Sequence, residues 1–190
     1  MMIFRYFLGL ALVVAPAAAN AQTKGITYDC DTAPGHFSEL ALPVPSGPVT
    51  VSGKLKLLNI AKDPKWAPTA RIHFTTSTAP GQSSDRQAGF LLMGVPANKV
   101  GLKSDDKNAV VQFLQWDEFR DSSEVKHPPF GLTADAPVYD FSLTFDGQAV
   151  LAKIGGQETR IAFTTSDPVV RIICSTGDFL FTDLRISPAK

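Results

Sequence analysis

Apolar positions in this chain recur with a period of two, not 3.6. Over residues 138–145, Tyr139, Phe141, Leu143 and Phe145 fall on one side and Asp140, Ser142 and Thr144 on the other. That is the alternation of a strand with one buried and one solvated face. Asp146-Gly147 follows, a pair able to take positive φ in a hairpin, and residues 149–154 return. Over 70–76, Ile72 and Phe74 face in, and Arg71, His73 and Thr75 face out. Over 109–119 both faces carry apolar side chains, which predicts a central strand. The end of that strand splits into Gln115 with Asp117 and Trp116 with Glu118.

Further strands are predicted at 49–60, 88–95, 159–165, 169–174 and 179–186, with another near 25–30. Polar loops are predicted at 77–87, 99–108 and 121–129. The Pro-rich stretch 41–48 reads as an entry loop or an edge segment. No amphipathic helix and no internal repeat emerge. Short runs separated by Gly, Pro, Asp and Ser predict an all-β fold, a two-sheet antiparallel β-sandwich rather than βαβ units.

The first segment departs from this pattern. Residues 1–21, MMIFRYFLGLALVVAPAAANA, carry Arg5, an apolar run and Ala19-Asn20-Ala21, which has the small-x-small form of a cleavage site. The run is shorter than the roughly 20 residues a spanning helix needs. The expectation is a signal peptide over 1–21 and one domain over 22–190, periplasmic or secreted. No Cys follows the cleavage site to take a lipid, and no later stretch predicts a membrane span. With Cys30 and Cys174 alone, one near each end of the mature domain, an oxidising compartment predicts one disulfide. Chain entropy assigns roughly 5 kcal/mol to so long a loop before strain reduces it.

Lys and Arg number 18, Asp and Glu 18, and 44% of residues are hydrophobic. That excludes a disordered chain, and the absence of net positive charge or a basic stripe gives no footing for nucleic acid. No Walker spacing, Gly-x-Ser-x-Gly elbow or Asn-x-Ser/Thr site occurs.

The closing stretch carries Phe181, Asp183, Leu184, Arg185 and Ile186 in an aromatic-x-Asp-hydrophobic-Arg-hydrophobic order. With the 141–150 hairpin and the glycine-flanked run 89–94, it resembles the concanavalin A-like and laminin G-like jelly rolls, over roughly residues 25–187. The resemblance implies a jelly roll whose last strand pairs with its first. It makes a glycan or another cell-surface ligand a plausible partner, since members include lectins, carbohydrate-binding modules, glycoside hydrolases and lyases. It does not imply catalysis.

Three chemistries follow from the residues. Trp116 is a candidate platform for a sugar face, with Gln115, Asp117 and Glu118 for its hydroxyls; the competing reading packs Trp116 against the core. Arg71 and His73 share a face and form a candidate lyase pair. In it Arg71 neutralises a uronate, and His73 or Tyr139 abstracts the proton. Glycosidase chemistry has less support. Glu39, Glu118, Glu124 and Glu158 have no spacing that puts two on one strand face, and Asp117-Glu118 lacks the flanking glutamates of laminarinase-like members. Asp29, Asp31 and Asp183 are candidate ligands for a structural calcium, with Asp105-Asp106 a second candidate; no other cofactor is implied. His36 and His127 read as polar surface. An exported carbohydrate-binding or surface-ligand-binding sandwich without catalysis leads. A polysaccharide lyase or glycoside hydrolase is the main alternative, and a structural or protein-interaction domain is the third.

Overall fold

The computed structural model describes residues 25–60, 65–76, 84–97, 110–133 and 137–189. The leader at 1–21, the Asp105-Asp106 pair and most of the loops expected at 77–87 and 99–108 lie outside them. The described residues form thirteen strands: β1 Ile26–Asp31, β2 Phe37–Pro43, β3 Val49–Ile60, β4 Thr69–Thr76, β5 Gln87–Pro96, β6 Val110–Arg120, β7 Ser123–Glu124, β8 Phe130–Thr133, β9 Tyr139–Phe145, β10 Ala149–Ile154, β11 Gln157–Ala162, β12 Pro168–Ser175 and β13 Gly177–Pro188. No helix among them is long and apolar enough to cross a membrane.

Two antiparallel sheets face each other as a β-sandwich. The six-stranded sheet runs β1-β13-β3-β9-β10-β11; the seven-stranded sheet runs β2-β12-β4-β5-β6-β7, with β8 also on β6. The first and last strands are paired, as the closing pattern implied. The alternation placed the inner faces correctly. Phe74 and Phe90 from one sheet meet Phe145 and Phe141 from the other at ring-centroid distances of 5.7 and 5.5 Å. A fully buried Phe contributes about 1.5–3 kcal/mol of hydrophobic stabilisation, so this aromatic layer is a main source of cohesion between the sheets.

The disulfide joins Cys30 on β1 to Cys174 on β12, across the two sheets, with Cα atoms 6.2 Å apart. The Asp146-Gly147 hairpin forms as expected. Gly147 sits at φ 97°, and Asp146 Oδ1 accepts from the backbone N–H groups of Gln148 and Ala149, each at 2.9 Å.

Two expectations are corrected and one is narrowed. Residues 121–129 are not all loop: β7 pairs with the end of β6, and β8 starts at Phe130. The edge-segment reading of 41–48 holds for residues 41–43, which close strand β2 at the edge of its sheet, where Pro43 can end a strand without breaking an inner ladder. Strand β6 is flanked on both sides, but by β5 and by the short β7 and β8, so it lies next to the edge rather than in the middle.

Candidate functional site

The outer face of the seven-stranded sheet carries the most concentrated polar chemistry in the described residues. Cross-strand pairing places Arg171 of β12 beside His73 of β4, His73 beside Gly89 of β5, and Gly89 beside Asp117 of β6. Gly89 presents no side chain between His73 and Asp117. The His73 ring therefore crosses β5, and its Nδ1 lies 3.2 Å from Asp117 Oδ2. Arg71, one step along the same face, brings Nη1 to 3.4 Å from Asp117 Oδ1. Arg171 Nε lies 3.2 Å from Glu39 Oε1 on β2. Gln115 also faces this side and donates from Nε2 to the His127 carbonyl at 2.9 Å.

This face is largely buried rather than fully solvated. The side chains of His73 and Asp117 are 2% and 3% exposed, whereas that of Arg71 is 34% exposed. Burial pushes the Asp117 carboxyl up. The hydrogen bond from His73, the His73 charge and the Arg71 charge outweigh it and hold the group below the ordinary carboxylate range. An ionised carboxylate only accepts hydrogen bonds, so the shared proton belongs on His73 Nδ1.

The other candidates fall elsewhere. Trp116 and Glu118 point to the opposite side of β6. The Trp116 ring packs against the core and against Phe130, with centroids 4.4 Å apart, so it is not a free platform. Glu118 is buried and takes Arg120 Nε at 2.5 Å and His127 Nε2 at 2.8 Å. His127 is thus a structural partner, contrary to the surface role expected for it; His36 is exposed. Tyr139 does not meet Arg71 and His73. It lies on β9 in the other sheet, 7% exposed within the core, and burial pushes its hydroxyl pKa up.

The carboxylates proposed for calcium are not assembled as expected. Asp31 pairs directly with Asp178 and Asp29 with Leu180, whereas Asp183 lies farther along β13, next to the partner of Ile26. There Asp183 lines a depression of about 290 Å³ with Lys54 and Arg185. Burial, followed by the nearby Asp29 and Asp31, pushes the Asp178 carboxyl up. Among the described residues, no group of three or more His, Cys, Asp or Glu side chains is arranged to hold a metal ion.

Sequence reasoning missed Gly89, Arg171 and Glu39. The available signals were a glycine inside an apolar strand, which marks close approach, and a lone arginine in the run Val169-Val170-Arg171-Ile172-Ile173.

No protein-family model matches the chain, and no curated protein matches it. Solved structures do match in fold. An alginate lyase from Alteromonas sp. 272 superposes with a TM-score of 0.53 at 8% identity, over 91% of this chain and 92% of that one. An alginate lyase from Corynebacterium sp. gives 0.52 at 13% identity, over 93% and 83%. The carbohydrate recognition domain of Emp47p gives 0.50 at 7% identity, over 89% and 92%. At these identities the likeness establishes the architecture, a jelly-roll-like sandwich shared by two alginate lyases and a carbohydrate recognition domain, and nothing finer.

Proposed function

We propose that this chain is an exported carbohydrate-binding β-sandwich without catalysis, and that the glycan lies on the outer face of the seven-stranded sheet at Arg71. The observation that carries the reading is the convergence of Arg71 and His73 of β4 with Gln115 and Asp117 of β6 on one largely buried polar face, across Gly89 of β5. Arg71 offers a partly exposed guanidinium, which suits hydroxyls or a uronate carboxylate. His73 and Asp117 beneath it hold its position. The inter-sheet disulfide supports export, since such bonds persist in oxidising compartments.

The lyase reading has one specific observation in its favour: Arg71 and His73 do meet, and Asp117 orients the ring. Against it stands the 2% exposure of the His73 side chain. A general base must come within hydrogen-bond reach of the proton it takes.

The test is a glycan array of neutral and acidic polysaccharides, read together with thermal unfolding and the ultraviolet absorbance of unsaturated uronate products. Wild type should bind acidic glycans without product. Arg71→Ala should lose at least about tenfold in affinity, the effect of one charge-assisted hydrogen bond. Trp116→Ala should keep binding and lose up to about 3 kcal/mol of stability, the low end for a buried aromatic. An array with no hits would end the carbohydrate reading. Product formation abolished by His73→Ala would replace it with the lyase.

A further inference from the structure

A second polar concavity lies at the end of the sandwich where β4, β6 and β11 finish and β5 begins, away from the Arg71 face. Three segments meet there. Arg86, just before β5, donates from Nη1 to Thr164 Oγ1 at 3.0 Å, bridging to the chain beyond β11 of the other sheet. Its Nη2 lies 3.2 Å from Asp121 Oδ1. Ser122 donates its hydroxyl to Asp85 Oδ1 at 2.6 Å and its backbone N–H to the Asp85 carbonyl at 2.9 Å. The hollow between them measures about 470 Å³ and adjoins a depression of about 180 Å³ lined by Phe119, Phe163 and Gln148. The larger volume is within the range of small-molecule sites, about 300–1,000 Å³.

The turn that carries Asp121 is unusual. Arg120 pairs with Ser123, so Asp121 and Ser122 form a two-residue hairpin loop. Their φ values are 48° and 64°. Such turns favour Asn-Gly or Asp-Gly, because a Cβ disfavours the left-handed region. Here neither position is glycine, and the strained pair is held by Asp85 and Arg86. Strain kept in place by its surroundings points toward a function for the groups it presents.

We propose that this cleft is a ligand site for a neutral sugar unit, gripped through adjacent hydroxyls. Carboxylates only accept hydrogen bonds and guanidinium groups only donate them. A hydroxyl does both, so neighbouring hydroxyls can bridge Asp121 or Asp85 to Arg86. Arg120 is already paired with Glu118, so Arg86 alone faces Asp85 and Asp121, and the cleft has no surplus positive charge to draw an anion. Phe119 supplies an apolar surface for the C–H face of a ring.

The experiment is a titration of ¹⁵N-labelled protein with methyl α-glucoside, methyl α-mannoside and methyl β-galactoside, and with glucuronate as the anionic comparison. At least one neutral glycoside should produce saturating amide shifts in residues 84–86, 120–123 and 163–165. Arg71→Ala should leave that titration unchanged, so failure of the sheet-face reading and failure of this one are separable. Asp121→Gly keeps the left-handed turn and removes the carboxylate; it should weaken binding about tenfold or more. Asp85→Asn leaves the turn sequence intact and carries the same expectation if Asp121→Gly fails to fold. Absent or non-saturating shifts in those segments would overturn the proposal, as would unchanged binding in a folded variant. Tighter binding of glucuronate than of every neutral glycoside would overturn the ligand class.

Discussion

Gly89→Ala is the sharpest probe of how the sheet-face cluster is built. A Cβ at this position would lie 2.1 Å from the Ile72 carbonyl oxygen, 2.6 Å from His73 Cα and 2.7 Å from His73 Cβ. Two of those atoms are backbone, so no side-chain rotation relieves the clash and β4 must move from β5. Overpacking of this kind costs about 1–3 kcal/mol. The displacement also pulls His73 away from Asp117, and loss of a buried hydrogen bond to a charged group adds roughly 1.5–3 kcal/mol. The expected loss is therefore about 3–5 kcal/mol. For a domain of this size that lowers the melting temperature by roughly 6–20 °C.

The control is Gly94→Ala on the same strand. There the three atoms nearest the added Cβ would be side-chain methyls, Leu57 Cδ2 at 2.9 Å and then Ile60 Cγ2 and Val110 Cγ1 at 3.3 Å. Side-chain ends can give way, so about 1 kcal/mol is expected. Urea and thermal unfolding of wild type and both variants would measure the difference. If Gly89→Ala unfolds within about 1 kcal/mol of wild type, or no earlier than Gly94→Ala, the account of a glycine-bridged His73–Asp117 pair is wrong.

Two more outcomes follow from the structure. Asp117→Asn should destabilise the domain by about 1.5–3 kcal/mol at neutral pH, the range for a hydrogen bond to a charged group. The folded carboxyl titrates below its unfolded value of about 3.9. Its stabilisation is therefore full above about pH 4 and is lost as pH falls through the folded value. The gap between wild type and Asp117→Asn should narrow below about pH 4, and a constant gap from pH 7 to pH 3 would refute the assignment. Reduction of Cys30–Cys174 should cost up to about 5 kcal/mol, since it releases a chain-length loop from the unfolded state; identical melting of the oxidised and alkylated reduced protein would contradict it.

The fold was legible because period-two patterning is a local signal and nearly every strand carries it. Strand β3 was readable residue for residue, and so was β10. Even the irregularity in β13 is written in the chain: Phe179 and Phe181 are inward at odd positions, whereas Leu184 and Ile186 are apolar at even ones. The intervening register shift, with Asp183 at φ 54°, restores the inward face. Strand β2 was hidden because an edge strand tolerates Pro43 and exposes Phe37, so it lacks both signatures of a buried strand.

The site was legible in side but not in depth. Alternation put Arg71, His73 and Thr75 on the outer face, and the structure agrees. It could not say that His73 and Thr75 are 1% and 0% exposed there, because burial on a non-core face depends on what stands around the sheet. Nor could it place Tyr139, whose strand entered the opposite sheet. Depth is what orders the functional readings. A ligand reaching this face meets the guanidinium of Arg71 first, and the imidazole lies below it, with Nδ1 committed to an ionised Asp117. A binding site needs only the first group, whereas an eliminating enzyme needs the second to touch substrate. The same three residues therefore favour binding at the depths seen here, and they would favour elimination only if the His73 ring came within reach of the substrate.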